Sequence, residues 1–225
     1  MKYRYLLFDM DDTLFDFQAS ELAAFQRVME INKIPFSEEL YAGYREDNSK
    51  LWRAYESGQI EKEKIFEKRF AHMLERFGLE GDGILMEQQY RTGLGEGTHL
   101  MPDAKEVLDQ LAERYPLYVV TNGVGHTQRK RLEDSGMRHY FKEVFISEEV
   151  GAAKPSPVYF DHVKANIPDF DAKQALIIGD SMGSDIKGGW QAGIDTCWFS
   201  QGEAGDQGEY VTYQIRSLKE LLDLL

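Results

Sequence analysis

Cysteine is almost absent. Cys197 stands alone in 225 residues, so no intrachain disulfide can form, and the thiol count gives no sign of an oxidising compartment. Long hydrophobic runs are missing too. The apolar stretch Tyr5-Leu6-Leu7-Phe8 stops at Asp9, far short of a signal peptide's apolar core or a membrane span, so the expectation is a cytoplasmic protein with no membrane partner. Basic residues are in deficit, with 26 Lys plus Arg against 39 Asp plus Glu for a formal charge of −13. That argues against a nucleic-acid duplex or an anionic membrane as main partner, since both attract basic faces. Repeats, low-complexity tracts and long linkers are lacking. The histidines, His72, His99, His126, His139 and His162, fall at no metal-ligand spacing.

What is present is a globular balance of 42% hydrophobic and 29% charged residues, in a chain long enough for one domain with an insertion or for two small domains. Short apolar runs at 3–8, 117–121, 143–147, 175–179 and 196–199 alternate with helix-periodic stretches at 104–113, 128–134, 158–166 and 185–192. That order predicts an α/β fold: a doubly wound, mostly parallel sheet with helices on both faces and ligand loops at the carboxyl ends of its strands. The alternation breaks between Phe15 and about Gly97, where amphipathic segments predict helices over 17–31, 37–57, 61–77 and 83–94. Residues 16–97 thus read as an inserted all-helical subdomain, and 1–15 with 98–225 as the α/β core. Gly93, Gly95 and Gly97 would form a second hinge opposite Phe15, as in a lid that opens and closes.

Polar clusters follow the predicted strands. Asp9, Asp11 and Asp12 come after the first; carboxylates two apart can cap a helix, fill a solvated turn or bind a hard cation. A calcium-binding EF-hand loop is excluded, because Leu14 stands where glycine is needed and Ser20 where glutamate is needed. Gly179, Asp180 and Asp185 follow the strand at 175–179, where Asp180 could equally cap the next helix and Asp185 sit in its first turn. Thr121-Asn122-Gly123 and Lys154 supply a hydroxyl, loop amides and an ammonium, the groups a phosphoryl oxygen needs. Singly, each is an ordinary turn or surface loop.

In combination and order, these residues resemble the haloacid dehalogenase superfamily. Its four motifs match at Asp9-Met10-Asp11-Asp12-Thr13, at Thr121, at Lys154, and at Gly179, Asp180 and Asp185, and the insert matches that family's helical cap. The resemblance implies a phosphatase in which Asp9 attacks phosphorus to form an aspartyl-phosphate, with Mg2+ held by Asp9, Asp180 and the backbone carbonyl of Asp11. Asp185 would orient a metal-bound water or Lys154, or bind the metal itself. Asp11 would protonate the leaving group and then deprotonate water. Thr121 and the Asn122-Gly123 loop would hold the transferring oxygens, Lys154 would neutralise charge beside Asp9, and Thr13 would brace the loop. Dehalogenases of the superfamily carry tyrosine where Asp11 stands, so Asp11 favours phosphate chemistry. Asp12 reads as a solvated turn carboxylate.

Asn48, Leu51, Trp52, Tyr55, Gly58 and Ile60, with Leu14-Phe15-Asp16-Phe17 and the segment before Lys154, resemble the bacterial pyrimidine 5′-nucleotidases that remove nonstandard nucleoside monophosphates, although those usually carry glutamate where Asp12 stands. Trp52, Tyr55 or Phe17 could stack on a base or pack the insert's own core. Asn48 could read a base edge or stand as a helix-surface amide. The substrate expected is a small phosphate ester, first a nucleoside monophosphate. A phosphoglycolate-type or sugar-phosphate phosphatase, or a phosphomutase, stays open within the same scaffold. A phospho-receiver signalling domain fits poorly, because its phosphoacceptor follows a middle strand and it has no helical insert.

Overall fold

A computed structural model of the protein describes residues 2–201 and 208–225. Among them the chain forms two compact units, residues 1–17 with 98–225 and residues 18–97. The larger unit is built on six strands: β1 (Tyr5–Phe8), β2 (Leu117–Thr121), β3 (Phe141–Ile146), β4 (Ala175–Gly179), β5 (Asp195–Phe199) and β6 (Tyr213–Ile215). Their order in the sheet is β3-β2-β1-β4-β5-β6, and every pairing is parallel. The sheet is therefore fully parallel where a mostly parallel one was expected. β1, β2 and β4 are buried along their whole length, which is why they read as continuous apolar runs rather than alternating ones.

Side chains alternate across the sheet. Leu6, Phe8, Leu117 and Val119 face a core shared with Val107, Leu108 and Leu111 of α5 (Ala104–Ala112) and Leu132 of α6 (Gly125–Asp134). Tyr5, Leu7, Tyr118 and Val120 face the opposite core, with Tyr159, Phe160 and Val163 of α8 (Pro157–Asn166). The short helices α7 (Ser147–Val150), α9 (Lys187–Gln191) and α10 (Glu220–Leu224) complete the unit, and a wide helical turn at Met182–Ile186 leads into α9.

The smaller unit holds α2 (Glu38–Glu56), α3 (Lys62–Phe77), α4 (Gly83–Glu96) and all but the first residue of α1 (Phe17–Ile31). Ser37 caps α2 by accepting from the Leu40 N–H, and Asp82 caps α4 by accepting from Ile84 and Leu85. Gly78 ends α3 at φ 60, a left-handed conformation that glycine adopts without steric cost. Phe25, Tyr44, Ile65, Phe70, Met73 and Tyr90 fill its interior.

The strand order fixes where chemistry can occur. From β1 the chain winds outward to β2 and β3, then returns to the other side of β1 as β4. Connections leaving β1 and β4 therefore diverge, and a crevice opens beyond their carboxyl ends. Register levels Phe8 with Ile178 and Val119, so the next residues, Asp9, Gly179 and Val120, emerge side by side.

Candidate active site

Asp9 is the first residue past β1, still tied to β4 through its N–H to the Ile178 carbonyl at 2.9 Å. Facing it is Lys154, whose side chain is 1% exposed. Its Nζ donates to Asp9 Oδ1 at 2.6 Å, Asp185 Oδ1 at 2.5 Å and the Val120 carbonyl at 2.8 Å. An ammonium has three protons, and all three are used. Burial alone would lower the lysine's pKa, but the Asp185 and Asp9 carboxylates outweigh it and hold the group charged, above the ordinary lysine range. The loop carrying Lys154 is pinned by Asn122: its Oδ1 accepts from the Lys154 N–H at 2.8 Å, and its Nδ2 donates to the Lys154 carbonyl at 2.9 Å. This side-chain role of Asn122 was not legible in the sequence.

Asp185 is 1% exposed. Its second oxygen accepts from the Ser181 N–H at 3.1 Å, so both oxygens serve in holding the loop and Lys154. Asp180 accepts from Thr13 Oγ1 at 3.4 Å, and its carbonyl accepts from Trp198 Nε1 at 2.9 Å. Thr13 thus braces the Asp180 side chain. Asp9, Asp180 and Asp185 each bring a carboxylate oxygen within 4.8 Å of the others. Burial pushes Asp9 up to about 8, with the charges of Asp185 and Asp11 adding to it and Lys154 opposing. Asp180 is raised in the same direction, first by burial and then by Asp9 and Asp185. Fully ionised, the three carboxylates would exceed the one ammonium by two charges, which is why Asp9 and Asp180 are held toward their protonated forms unless positive charge is added. An all-oxygen donor set with two surplus negative charges fits a hard divalent cation.

Thr121, at the carboxyl end of β2, is 1% exposed. Its Oγ1 accepts from the Gly123 N–H at 3.1 Å and from Gln128 Nε2 at 3.0 Å. Gly123 is needed for this, because a Cβ there would stand 2.5 Å from Gln128 Cδ. Asp11 is turned toward α6: its Oδ2 accepts from Gln128 Nε2 at 2.8 Å, and its Oδ1 is ion-paired with Arg131. Gln128 and Arg131 were missed by sequence reasoning, although two polar residues three apart on the helix that follows the Thr-Asn-Gly loop share one face. Asp12 lies in the turn after β1, part-exposed and at φ 55, and has a role beyond it: its Oδ1 accepts from the Phe17 N–H at 3.1 Å and so caps the start of α1.

In the helical unit, Asn48 is buried at 5% exposure and donates from Nδ2 to Glu21 Oε1 at 3.1 Å. The surface-amide reading of Asn48 therefore fails. Its Oδ1 has no partner among the described residues. Trp52 and Tyr55 are half-buried and pack edge to face at 5.9 Å, with Lys62 Nζ 5.2 Å from the Tyr55 ring centre. The structure thus brings Asp9, Asp11, Thr121, Asn122, Gly123, Lys154, Asp180 and Asp185 to one edge of the sheet, and sets Asn48, Trp52 and Tyr55 on one helix of the other unit.

Fold and site together define a doubly wound α/β protein that gathers three carboxylates and one buried lysine at the sheet's carboxyl edge. The chain belongs to the haloacid dehalogenase-like hydrolases, whose family model matches residues 3–193. It is 45% identical over 225 residues to the HAD-hydrolase YfnB of Bacillus subtilis, covering 100% of this chain and 96% of that protein. The crystal structure of YfnB bound to magnesium, in which interdomain movement is seen, matches with a TM-score of 0.95 over 100% of this chain and 99% of that one. Pyrimidine 5′-nucleotidase PynA of Streptococcus pneumoniae is 36% identical over 227 residues, 100% of this chain and 96% of PynA. Pyrimidine 5′-nucleotidase YjjG of Escherichia coli is 32% identical over 226 residues, 100% of this chain and 99% of YjjG. No described helix is long and apolar enough to cross a membrane.

Proposed function

We propose that the protein is a Mg2+-dependent phosphomonoesterase that works through an aspartyl-phosphate on Asp9 and takes pyrimidine nucleoside 5′-monophosphates as its first substrates, in the cytoplasm. The observation that carries this reading is the Lys154 ammonium held between Asp9 and Asp185, with Asp180 alongside and Asp11 two residues beyond Asp9. The nucleotide preference is supported by the full-length likeness to PynA and YjjG, both pyrimidine 5′-nucleotidases.

Asp9, Asp180 and the Asp11 carbonyl would hold the ion, with Asp185 beside them, and the ion when bound would supply the positive charge that lets an anionic phosphate approach a carboxylate. Lys154 fixes Asp9 through Oδ1, leaving Oδ2 to form the bond to phosphorus as the ester oxygen departs. Asp11 gives a proton to that oxygen and later takes one from the water that hydrolyses the aspartyl-phosphate. Thr121 and the backbone N–H of Asn122 receive the phosphoryl oxygens, while the Gly123 N–H donates to Thr121 and holds that hydroxyl in place. In the helical unit, Trp52 and Tyr55 would supply a stacking face for the base.

The test is phosphate release by the purified chain from a panel of pyrimidine and purine monophosphates, sugar phosphates, phosphoglycolate and acetyl phosphate, with Mg2+ or with EDTA. The expected result is kcat/KM for pyrimidine monophosphates about tenfold or more above the sugar phosphates, and no turnover in EDTA. Equal rates on sugar and pyrimidine phosphates would overturn the nucleotidase reading; a single phosphate per chain would overturn the enzyme reading.

A further inference from the structure

Asp11 lies in the loop after β1 and Thr121 at the end of β2, and the two have different tasks, yet one side chain touches both. Gln128 Nε2 donates to Asp11 Oδ2 at 2.8 Å and to Thr121 Oγ1 at 3.0 Å. Its other end, Oε1, accepts from Arg131 at 3.1 Å. Because a guanidinium only donates, Oε1 must face Arg131, and both Nε2 protons are then directed at Asp11 and Thr121. Arg131 adds an ion pair to the other oxygen of Asp11 and lies over the Phe15 ring, 4.7 Å from its centre. Gln128 and Arg131 are each 1% exposed. Burying an arginine and an amide costs free energy unless the groups find partners; here Asp11 and Thr121 take the Gln128 amide, and Asp11 pairs with one Arg131 nitrogen. The consequence for Thr121 is directional. A hydroxyl accepts twice and donates once; both acceptances are taken by Gly123 and Gln128, so its own proton is left to donate outward, as a phosphoryl oxygen requires.

We propose that Gln128 and Arg131 are a positioning pair for catalysis: they fix the orientation of the acid/base Asp11 and, through the same amide, force Thr121 to present its proton to the substrate. Neither residue touches the substrate. This rests on the phosphatase reading above, since it assigns Asp11 to protonation of the leaving group.

Leaving-group dependence separates this role from a structural one. An alkyl ester such as uridine 5′-monophosphate expels a poor leaving group and needs a proton, whereas p-nitrophenyl phosphate expels a stable phenolate and needs little help. kcat/KM reports the steps up to that departure. Gln128→Glu keeps the size of the side chain and its pairing with Arg131, but it cannot donate and repels Asp11. The expected result is a fall in kcat/KM of about 100-fold on the nucleotide, as for a misplaced acid, with a loss on p-nitrophenyl phosphate at least about tenfold smaller. Arg131→Met should show the same asymmetry and Arg131→Lys should restore part of it, with circular dichroism and melting temperature reporting that the variants fold. In an Asp11→Asn background, Gln128→Glu should leave the ratio between the two esters unchanged, because groups acting through one residue are not additive. Equal losses on both esters, or a further shift of the ratio in the Asp11→Asn background, would overturn the proposal. If Asp11→Asn itself lowers both esters equally, the assignment of Asp11 fails, and the positioning proposal fails with it. If Asp11→Asn is selective and Gln128→Glu is not, the positioning proposal alone fails.

Discussion

Gly179 and Asp185 are in contact in a way that leaves no room for a side chain: a Cβ on Gly179 would stand 2.4 Å from the Asp185 carboxyl carbon. The last residue of β4 has to be glycine so that a carboxylate six positions later can fold back over the strand end and reach Lys154.

Gly179→Ala is accordingly expected to push Asp185 off the ammonium. Overpacking of this kind costs about 1–3 kcal/mol, and the displaced carboxylate should lower kcat by about tenfold or more. Thermal melting and phosphate release measure the two effects. Turnover at the wild-type rate in a folded variant would show that the Asp185 contact to Lys154 is dispensable.

Lys154→Met removes the charge shared by Asp9 and Asp185. Asp9 and Asp185 then lose the ammonium that faces them both, and breaking a buried pair in this way costs about 3–5 kcal/mol of stability. Loss of an electrostatic group beside the reacting phosphorus should lower kcat about 100-fold or more. Lys154→Arg should not restore activity, because the three acceptors surround a compact ammonium rather than a planar fork. Recovery in the arginine variant would contradict this geometry.

The strands and helices that were legible in the sequence are those with a period or a run. β1, β2 and β4 are buried on both faces and so read as unbroken apolar segments. The helices of 18–97 are amphipathic and bounded by serine, aspartate and glycine caps. β6 escaped notice because Tyr213-Gln214-Ile215 is three residues long and is held by pairing to β5, a tertiary cause with no local pattern. The site divides in the same way. Asp9, Thr121 and Asp180 announce themselves at the ends of strands, and Lys154 by its place in the order of the motifs. Gln128 and Arg131 sit in a helix so polar that it reads as a solvated face, and they are buried only because Asp11 and Thr121 meet them from elsewhere in the chain. Asn48 is the same case in the helical unit, its burial set by Glu21 of another helix.

Stability should depend on pH in a way that identifies the carboxylate cluster. In the folded protein Asp9 is pushed up to about 8, chiefly by burial, whereas in an unfolded chain an aspartate titrates near about 4. The folded state binds the extra proton between those values, so this contribution is complete below about pH 4 and is lost as the pH rises through 8. In EDTA the melting temperature should therefore fall from pH 5 to pH 8.5, and Asp9→Asn should flatten that fall while abolishing turnover. Mg2+ should raise the melting temperature more at pH 8 than at pH 5, since its ligands must be deprotonated. An equal shift at both pH values would deny the cluster a metal, and substantial hydrolysis by Asp9→Asn would deny it the nucleophile.

Trp52 and Tyr55 form an edge-to-face pair that is only half-buried, so one reading makes them a base platform and the other makes them packing between turns of α2. The two predict different kinetics. Stacking on an aromatic side chain is worth about 1–3 kcal/mol per base, and a platform lost in Trp52→Ala would raise KM for pyrimidine monophosphates by about tenfold or more, with kcat/KM for acetyl phosphate, which has no base to stack, changed by less than about twofold. Packing lost in the same variant would instead lower the melting temperature and weaken both substrates in parallel. Steady-state kinetics on uridine monophosphate and acetyl phosphate, with the melting temperature of the variant measured beside them, separates the outcomes. The platform reading expects the KM for the nucleotide to move alone.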